Sequence, residues 1–383
     1  MRVYNSIADL RELARQRVPR AIFEYADRGS FDELTLARNR SDLQAIEFRQ
    51  RVMRDLSKLS VASTMLGQPV TMPLAIAPTG SAGLFYGNGE IHGARAAQAF
   101  GIPYCMSTMS ICSIEDVHQA VQQPFWFQLY LMRDRSFNAE LIGRAHAAEC
   151  SALMLTVDLQ VQGIRRRDAK NGLSIPPRLT LRNALDIATK PAWAMRVLLG
   201  KRRTFGNMAS YLKQTSGLRS LSEWIGSQFD TAVTWQDVDW VRSRWPGKLI
   251  IKGILDPEDA RVAASLGFDA LVVSNHGGRQ LDGAPSSISV LQEIVTAVDG
   301  RCEVWFDGGV QSGQDVLRAL ALGAKACLIG KSYLYALGAL GGPGVTLALN
   351  LLRKELEVTM ALTGCTDVSQ VDARILRRTP GSP

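Results

Sequence analysis

Two periodicities divide the chain. Up to about residue 45 the apolar positions recur at helical spacing. Ser6 followed three residues later by Asp9 reads as a helix start, and Leu10, Leu13 and Ala14 carry an apolar stripe towards Arg17. Pro19 suits the first turn of a second helix that Gly29 would close, with Tyr25 near its end, and residues 31–43 predict a third. From Met72 onward short apolar runs alternate with helical segments. The runs at 73–77, 104–107, 125–130, 152–157, 249–254, 270–274, 303–306 and 326–329 predict eight strands. Amphipathic stretches lie between them at 94–100, 114–121, 139–148, 257–266, 288–298 and 313–322. Eight strand-then-helix repeats over about 270 residues predict an α/β fold, a closed (β/α)8 TIM barrel rather than an open doubly wound sheet. Residues 1–70 would form a helical arm, and 163–247 an insert between the fourth and fifth strands, within one domain spanning 1–383.

A barrel of this kind gathers its functional groups at the carboxyl ends of its strands. There the chain places Pro78, Thr79 and Gly80 after the first strand, Ser107 on the second, and Gln128 and Tyr130 on the third. Thr156 and Asp158 close the fourth, and Lys252 sits late in the fifth. Ser274, His276 and Arg279 follow the sixth, Asp307, Gly308 and Gly309 the seventh, and Gly330 and Lys331 the eighth. The opposite ends carry generic turns such as Gly101-Ile102-Pro103 and Gly267-Phe268-Asp269. That asymmetry turns the stretch SNHGGRQLD, 274–282, from an ordinary polar loop into a candidate site.

Charge changes the picture in one region. The net charge is +8, yet residues 163–220 alone carry 13 Lys/Arg against 2 Asp/Glu, leaving −3 for the rest. A mildly acidic body with one basic insert is not the pattern of a nucleic-acid binder, and no nucleic-acid partner is expected. Trp193, Ala194, Met195, Val197, Leu198 and Leu199 lie among Arg196, Lys201, Arg202 and Arg203, a mixture that suits a segment lying in a lipid interface; a basic lid packed on its own barrel or on a neighbour is the alternative. No run approaches the ~18 apolar residues of a spanning helix. Six scattered cysteines without CxxC spacing or a histidine cluster predict reduced thiols, no metal and a cytoplasmic protein.

The strand-end residues suggest their own chemistry. His276 is one of four histidines and the one placed at the active end, where an imidazole exchanges protons near neutral pH; Asp158 can orient it. Arg279 and Arg165 suit a carboxylate, although spacing leaves open which of Arg165, Arg166 and Arg167 points inward. Lys252, in KLIIKGI, is an unusual buried lysine whose apolar neighbours argue against an internal ion pair. It fits a fixed positive charge under an electron-accepting ring or a Schiff-base aldolase lysine. Asp307-Gly308-Gly309 and Gly330-Lys331 resemble the glycine-lined phosphate loops of barrels. Residue 325 is lysine where a P-loop requires glycine, and no GxGxxG follows a strand.

Taken together, LARQRVPRAIFEYADRGS, IAPTG, WFQLY, LTVD, KGILDPEDA, SNHGGRQLDG, FDGGV and LNLLRKELEVTMALTGC resemble the FMN-dependent L-2-hydroxy acid oxidases and dehydrogenases over nearly the whole chain. KGILDPEDA and the basic insert bring it nearest the membrane-associated bacterial dehydrogenases. The resemblance implies FMN as cofactor and a small 2-hydroxy acid, L-lactate or a larger relative such as L-mandelate, as substrate. It also implies a quinone or cytochrome acceptor, or oxygen in a soluble oxidase, and a homotetramer peripheral to the inner face of the cell membrane. His276 would be the base, either for the hydroxyl proton or for the α-proton, with Asp158 its partner. Arg165, Arg279, Tyr25 and Tyr130 would clamp the carboxylate, and Lys252 would stabilise the reduced flavin. Pro78, Thr79, Gly80, Ser107, Gln128, Thr156 and Ser274 would surround the flavin ring, and Asp307, Gly308, Gly309, Gly330 and Lys331 the ribityl phosphate. Met109 stands where glycolate oxidases have tryptophan and should admit larger substrates. Lys331 and Gln311 stand where arginine is common, which implies a looser FMN site.

Overall fold

The computed structural model describes residues 3–172, 180–202, 204–209 and 227–377. Eight parallel strands form the centre: β1 (Leu74–Ile76), β2 (Cys105–Ser107), β3 (Trp126–Leu129), β4 (Ala152–Thr156), β5 (Lys248–Ile254), β6 (Ala270–Val273), β7 (Glu303–Phe306) and β8 (Ala326–Ile329). Their order runs β1-β8-β7-β6-β5-β4-β3-β2, and a single parallel bridge, Ile76 to Tyr104, joins the two ends into a barrel. All eight fall within a residue or two of the predicted runs. The strands are buried on both faces because helices cover the outside while Ala75, Met154, Ile250, Val272 and Leu328 fill the inside. Trp126 and Trp305 stack across that interior with ring centroids 5.1 Å apart.

The amino-terminal arm carries three helices, α1 (Ile7–Arg17), α2 (Arg20–Asp27) and α3 (Leu34–Ala45). Ser6 and Asp9 close a reciprocal capping box on α1. The third helix starts later than the predicted residue 31, for a local reason. Phe31 and Glu33 adopt left-handed backbone, with φ of 46° and 66°, and the Glu33 carboxylate accepts the Gly29 N–H. The arm is tied to the β6 loop from end to end. Asn39 and Asn275 exchange amide hydrogen bonds of 2.8 and 2.7 Å, and the Asp282 carboxylate accepts the N–H groups of Asp32 and Thr35.

The insert contributes helices Leu181–Ala188 and Pro191–Val197. Its expected apolar cluster divides by helical spacing. Trp193 and Val197, four residues apart, turn inward and are buried, and the Trp193 indole donates to Leu84 O. Met195, Leu198 and Leu199 face outward, as do Leu181 and Leu185. Arg202 is drawn back onto Asp116 at 2.6 Å, while Arg203 lies outside the described residues. No helix among the described residues is long and apolar enough to cross a membrane.

Candidate active site

One cavity of about 520 Å³ opens at the carboxyl ends of the strands. His276 lines it, and its Nδ1 lies 2.8 Å from Asp158 Oδ1. Two irregularities of the backbone make that contact. Lys252-Gly253-Ile254 carries a bulge, with Gly253 at φ 109°. A side chain there would come within 2.6 Å of the Asp158 Cβ, so glycine makes room for the carboxylate. His276, Gly277 and Gly278 then take left-handed backbone in succession, with φ of 58°, 66° and 72°. A histidine in that region is strained, and its place at the cavity wall fits a functional constraint. Gly277 faces the cavity. The close approach at Gly278 is to α3 instead, since a Cβ there would lie 2.6 Å from Leu36 Cα.

Lys252 is paired, contrary to expectation. Its Nζ lies 3.1 Å from Asp307 Oδ2 and donates to Ser274 Oγ at 2.8 Å, so its partner comes from the end of β7, two strands away. Burial alone would lower its pKa, but Asp307 and Asp158 outweigh it and hold the ammonium above the ordinary lysine value. Burial likewise works against the Asp158 carboxylate, and the His276 ring and Lys252 overcome it, keeping its pKa below the ordinary range. Ser274 therefore serves its neighbours rather than the cavity, its Oγ accepting from the Lys252 ammonium and from the His276 backbone N–H at 3.1 Å.

Of the three consecutive arginines, Arg165 is the one that turns inward. Arg166 pairs with Asp32 outside, and Arg167 is exposed. Arg165 and Arg279 both lie against the ring of Tyr25, with guanidinium carbons 5.8 and 4.8 Å from its centroid. Arg279 also donates to the carbonyls of Tyr25 and Arg28, which fixes its reach. Burial and then the neighbouring Arg165 push its pKa down to about 10, as expected of two cations sharing a buried cleft. Tyr130 meets Phe229 edge-on at 5.5 Å, and with Met109 and Leu159 these two form an apolar wall.

The far end of the cavity is a cradle of Gly308, Gly309, Gly330 and Lys331, the last opening the helix Lys331–Leu340. Gly308 and Gly309 have φ of 106° and 97°, and a Cβ on Gly309 would press within 2.4 Å of Asn39 O. Lys331 Nζ donates to Asp27 O at 3.0 Å. Burial, reinforced by Arg279, lowers its pKa to about 7. Asp307, expected at the phosphate end, lines the cavity beside Gly308; its Oδ2 pairs with Lys252 and its Oδ1 has no partner. Arg40, on α3, went unnoticed in the sequence: it lines the wall beside Gln311, donates to Gly309 O and pairs with Asp315 at 2.7 Å.

Pro78, Thr79, Gly80 and Ser107 line the cavity as expected; Gln128, Thr156, Ser274 and Asp158 lie behind its surface. Buried atoms without partners mark what the cavity suits. Asp307 Oδ1 on the wall and Gln128 Nε2 and Thr156 Oγ1 just behind it have none, and with the Lys252 ammonium they make a set of donors and acceptors that suits a flat polar-edged ring. The glycine cradle and helix start offer N–H groups to an anion. The residues fit FMN.

These features define a barrel with a cavity suited to a phosphate-bearing cofactor beside a histidine paired with a carboxylate. Residues 14–378 match the sequence profile of the FMN-dependent dehydrogenase family. The chain belongs to that family, an oxidoreductase with FMN as cofactor. It is 48% identical over 378 residues to an L-lactate dehydrogenase of Caulobacter sp. (strain K31), covering 98% of this chain and 99% of the relative. It is 44% identical over 375 residues to an L-lactate dehydrogenase of Acinetobacter baylyi, covering 98% and 97%. Among solved structures, the monotopic membrane protein (S)-mandelate dehydrogenase superposes with a TM-score of 0.93 at 35% identity, over 99% of this chain and 100% of that one. Mandelate oxidase superposes at 0.82 with 38% identity, over 100% of both chains.

Proposed function

We propose that this protein oxidises an L-2-hydroxy acid, L-lactate or a larger relative such as L-mandelate, to the 2-oxo acid and passes the electrons to a quinone or cytochrome at a membrane. The reading is carried by one juxtaposition: the Arg165–Arg279 pair on Tyr25 lines the same cavity as His276, which Asp158 backs from behind the wall. The arginines grip the carboxylate, with the Tyr25 and Tyr130 hydroxyls as further donors. His276 Nδ1 is engaged by Asp158, leaving Nε2 to accept the substrate proton while the carboxylate stabilises the resulting imidazolium. FMN, when bound, supplies the two-electron acceptor. Thr79, Ser107, Gln128 and Thr156 would hold its ring, Gly309, Gly330 and Lys331 would hold its phosphate, and Lys252 would supply a positive charge to stabilise the reduced ring. Met109, Leu159 and Phe229 would face the acid's side chain with an apolar wall.

The membrane reading rests on the exposed row Leu181, Leu185, Met195, Leu198 and Leu199 interleaved with Arg182, Lys190 and Arg196. Apolar groups that enter the headgroup layer, with cations that meet anionic lipid, suit peripheral docking at the inner face of the cell membrane. The resemblance implies a homotetramer for the assembly. Anaerobic addition of L-lactate or L-mandelate to the yellow protein should bleach its visible spectrum, and a quinone analogue should restore it. A spectrum unmoved by any 2-hydroxy acid overturns the reading. Similarity to mandelate oxidase favours one alternative, a soluble oxidase, for which stoichiometric hydrogen peroxide in air is the signature.

A further inference from the structure

Behind the insert lies a second cavity, of about 340 Å³, walled by the end of α1, by Phe85 and Tyr86, and by the helix Pro191–Val197. Three cations line it: Arg17, Lys190 and Arg196. Arg17 Nη1 donates to Ala339 O at 2.6 Å, Lys190 Nζ donates to Gln16 O at 2.5 Å, and the Arg196 guanidinium stacks on Tyr86 at 5.0 Å. Cations do gather at helix carboxyl termini, and the ends of α1 and of Lys331–Leu340 account for where Arg17 and Lys190 sit. Each carbonyl takes one N–H and neutralises no charge. Among the described residues none of the three cations pairs with a carboxylate, although carboxylates elsewhere on this chain pair readily with arginine. Nor does helix capping explain a third cation or the volume between them.

Two guanidinium forks and an ammonium around one space match a tetrahedral oxyanion better than a planar carboxylate. The space exceeds a bare ion, and its floor is aromatic, with Trp193 anchored by its indole N–H to Leu84 O at 2.7 Å. The same short helix that brings Arg196 to the cavity turns Met195 outward, with Leu198 and Leu199 following it. We propose that this cavity binds the phosphate of an anionic glycerophospholipid headgroup, so that docking depends on a specific pocket as well as on diffuse charge. The proposal rests on the membrane reading above and is separable from it.

The test uses the FMN-loaded full chain. Calorimetric titration with dihexanoylphosphatidylglycerol below its micelle concentration should show saturable binding, and dihexanoylphosphatidylcholine should show none. Lys190→Gln and Arg196→Gln should each weaken binding by about tenfold, the loss of one charge-assisted contact. Met195→Ser/Leu198→Ser/Leu199→Ser should leave it intact while abolishing flotation with phosphatidylglycerol vesicles. Retained flavin absorbance checks that each variant is folded. Saturable binding of the soluble lipid without wild-type flotation keeps the pocket and removes the membrane reading. Flotation with no saturable binding overturns the pocket and keeps the membrane. Equal affinity for glycerol 3-phosphate overturns the lipid as the source of the phosphate.

Discussion

Replacing Asp158 with asparagine isolates the contribution of one charge. The side chain keeps its size in the space that Gly253 leaves, and the Gln280 amide still holds the Asp158 carbonyl at 2.7 Å. What disappears is the negative charge 2.8 Å from His276 Nδ1, in a site where the two side chains are 19% and 12% exposed. At an effective dielectric of about 20, unit charges about 4 Å apart interact by about 4 kcal/mol. Hydrogen bonds to charged groups contribute about 1.5–3 kcal/mol in mutational series. Because the imidazole acquires its charge only as it accepts the proton, the loss falls on the transition state rather than on substrate binding. At about 1.4 kcal/mol per decade, kcat should fall roughly 10- to 1000-fold with KM changed less than about threefold. Single-turnover reduction of the flavin by L-lactate or L-mandelate in stopped flow measures the step directly. A reduction rate within threefold of wild type, or a loss confined to KM, would refute the assignment of Asp158 as the partner that stabilises the protonated base.

Other residues make equally specific claims. Arg279→Lys removes the planar fork while retaining charge, so KM should rise about 10- to 100-fold with a smaller change in kcat; equal falls in both kcat and kcat/KM, with KM unmoved, would contradict a carboxylate-binding role. Lys331 and Gln311 predict an FMN site looser than one with arginines, and Arg40 supplies the remaining fixed charge. Arg40→Met should weaken FMN about tenfold relative to riboflavin in apoprotein titration, and an unchanged ratio would reduce Arg40 to a tether for α3. Burial and Arg279 bring the Lys331 pKa down to about 7, so above that pH it must take up a proton to meet a phosphate dianion. FMN affinity should therefore fall as pH rises from 7 to 9, by at most about tenfold per unit, and Lys331→Gln should flatten the profile; a flat wild-type profile overturns the point. Met109→Trp should selectively slow L-mandelate relative to L-lactate, because it fills the space beside Leu159 and Phe229; a parallel loss for both acids would place Met109 elsewhere in the mechanism.

The barrel was legible because each strand is an apolar run buried on both faces, a signal that survives without knowledge of its neighbours. The strand-end groups were legible for a related reason: glycines, histidine and arginine at the ends of such runs have few structural uses. What stayed hidden depends on contacts between distant segments. Lys252 looked unpaired because its sequence neighbours are apolar, yet its partner stands two strands away. Arg40 is one arginine among several on α3, and only the packing of that helix over Gly309 brings it to the cradle. The inward turn of Trp193 and Val197 was within reach of the sequence, since a spacing of four places both on one helical face.

The ties between the arm and the β6 loop also set an order in time. Ser30 Oγ donates to Gly278 O across 248 positions, Asp282 receives Asp32 across 250, and Arg279 reaches Tyr25 across 254. At about 5–20 residues per second, a ribosome needs roughly 12–50 seconds to deliver the second half of each pair. During that interval α3 exists without the surface it covers. The left-handed turn at His276 has its own bonds to Ser274 and Asp158, but Gly278 lacks its backing until α3 closes over it. Assembly of the active site is thus among the last events of folding, and a nascent chain halted before residue 282 would contain most of a barrel and no catalyst.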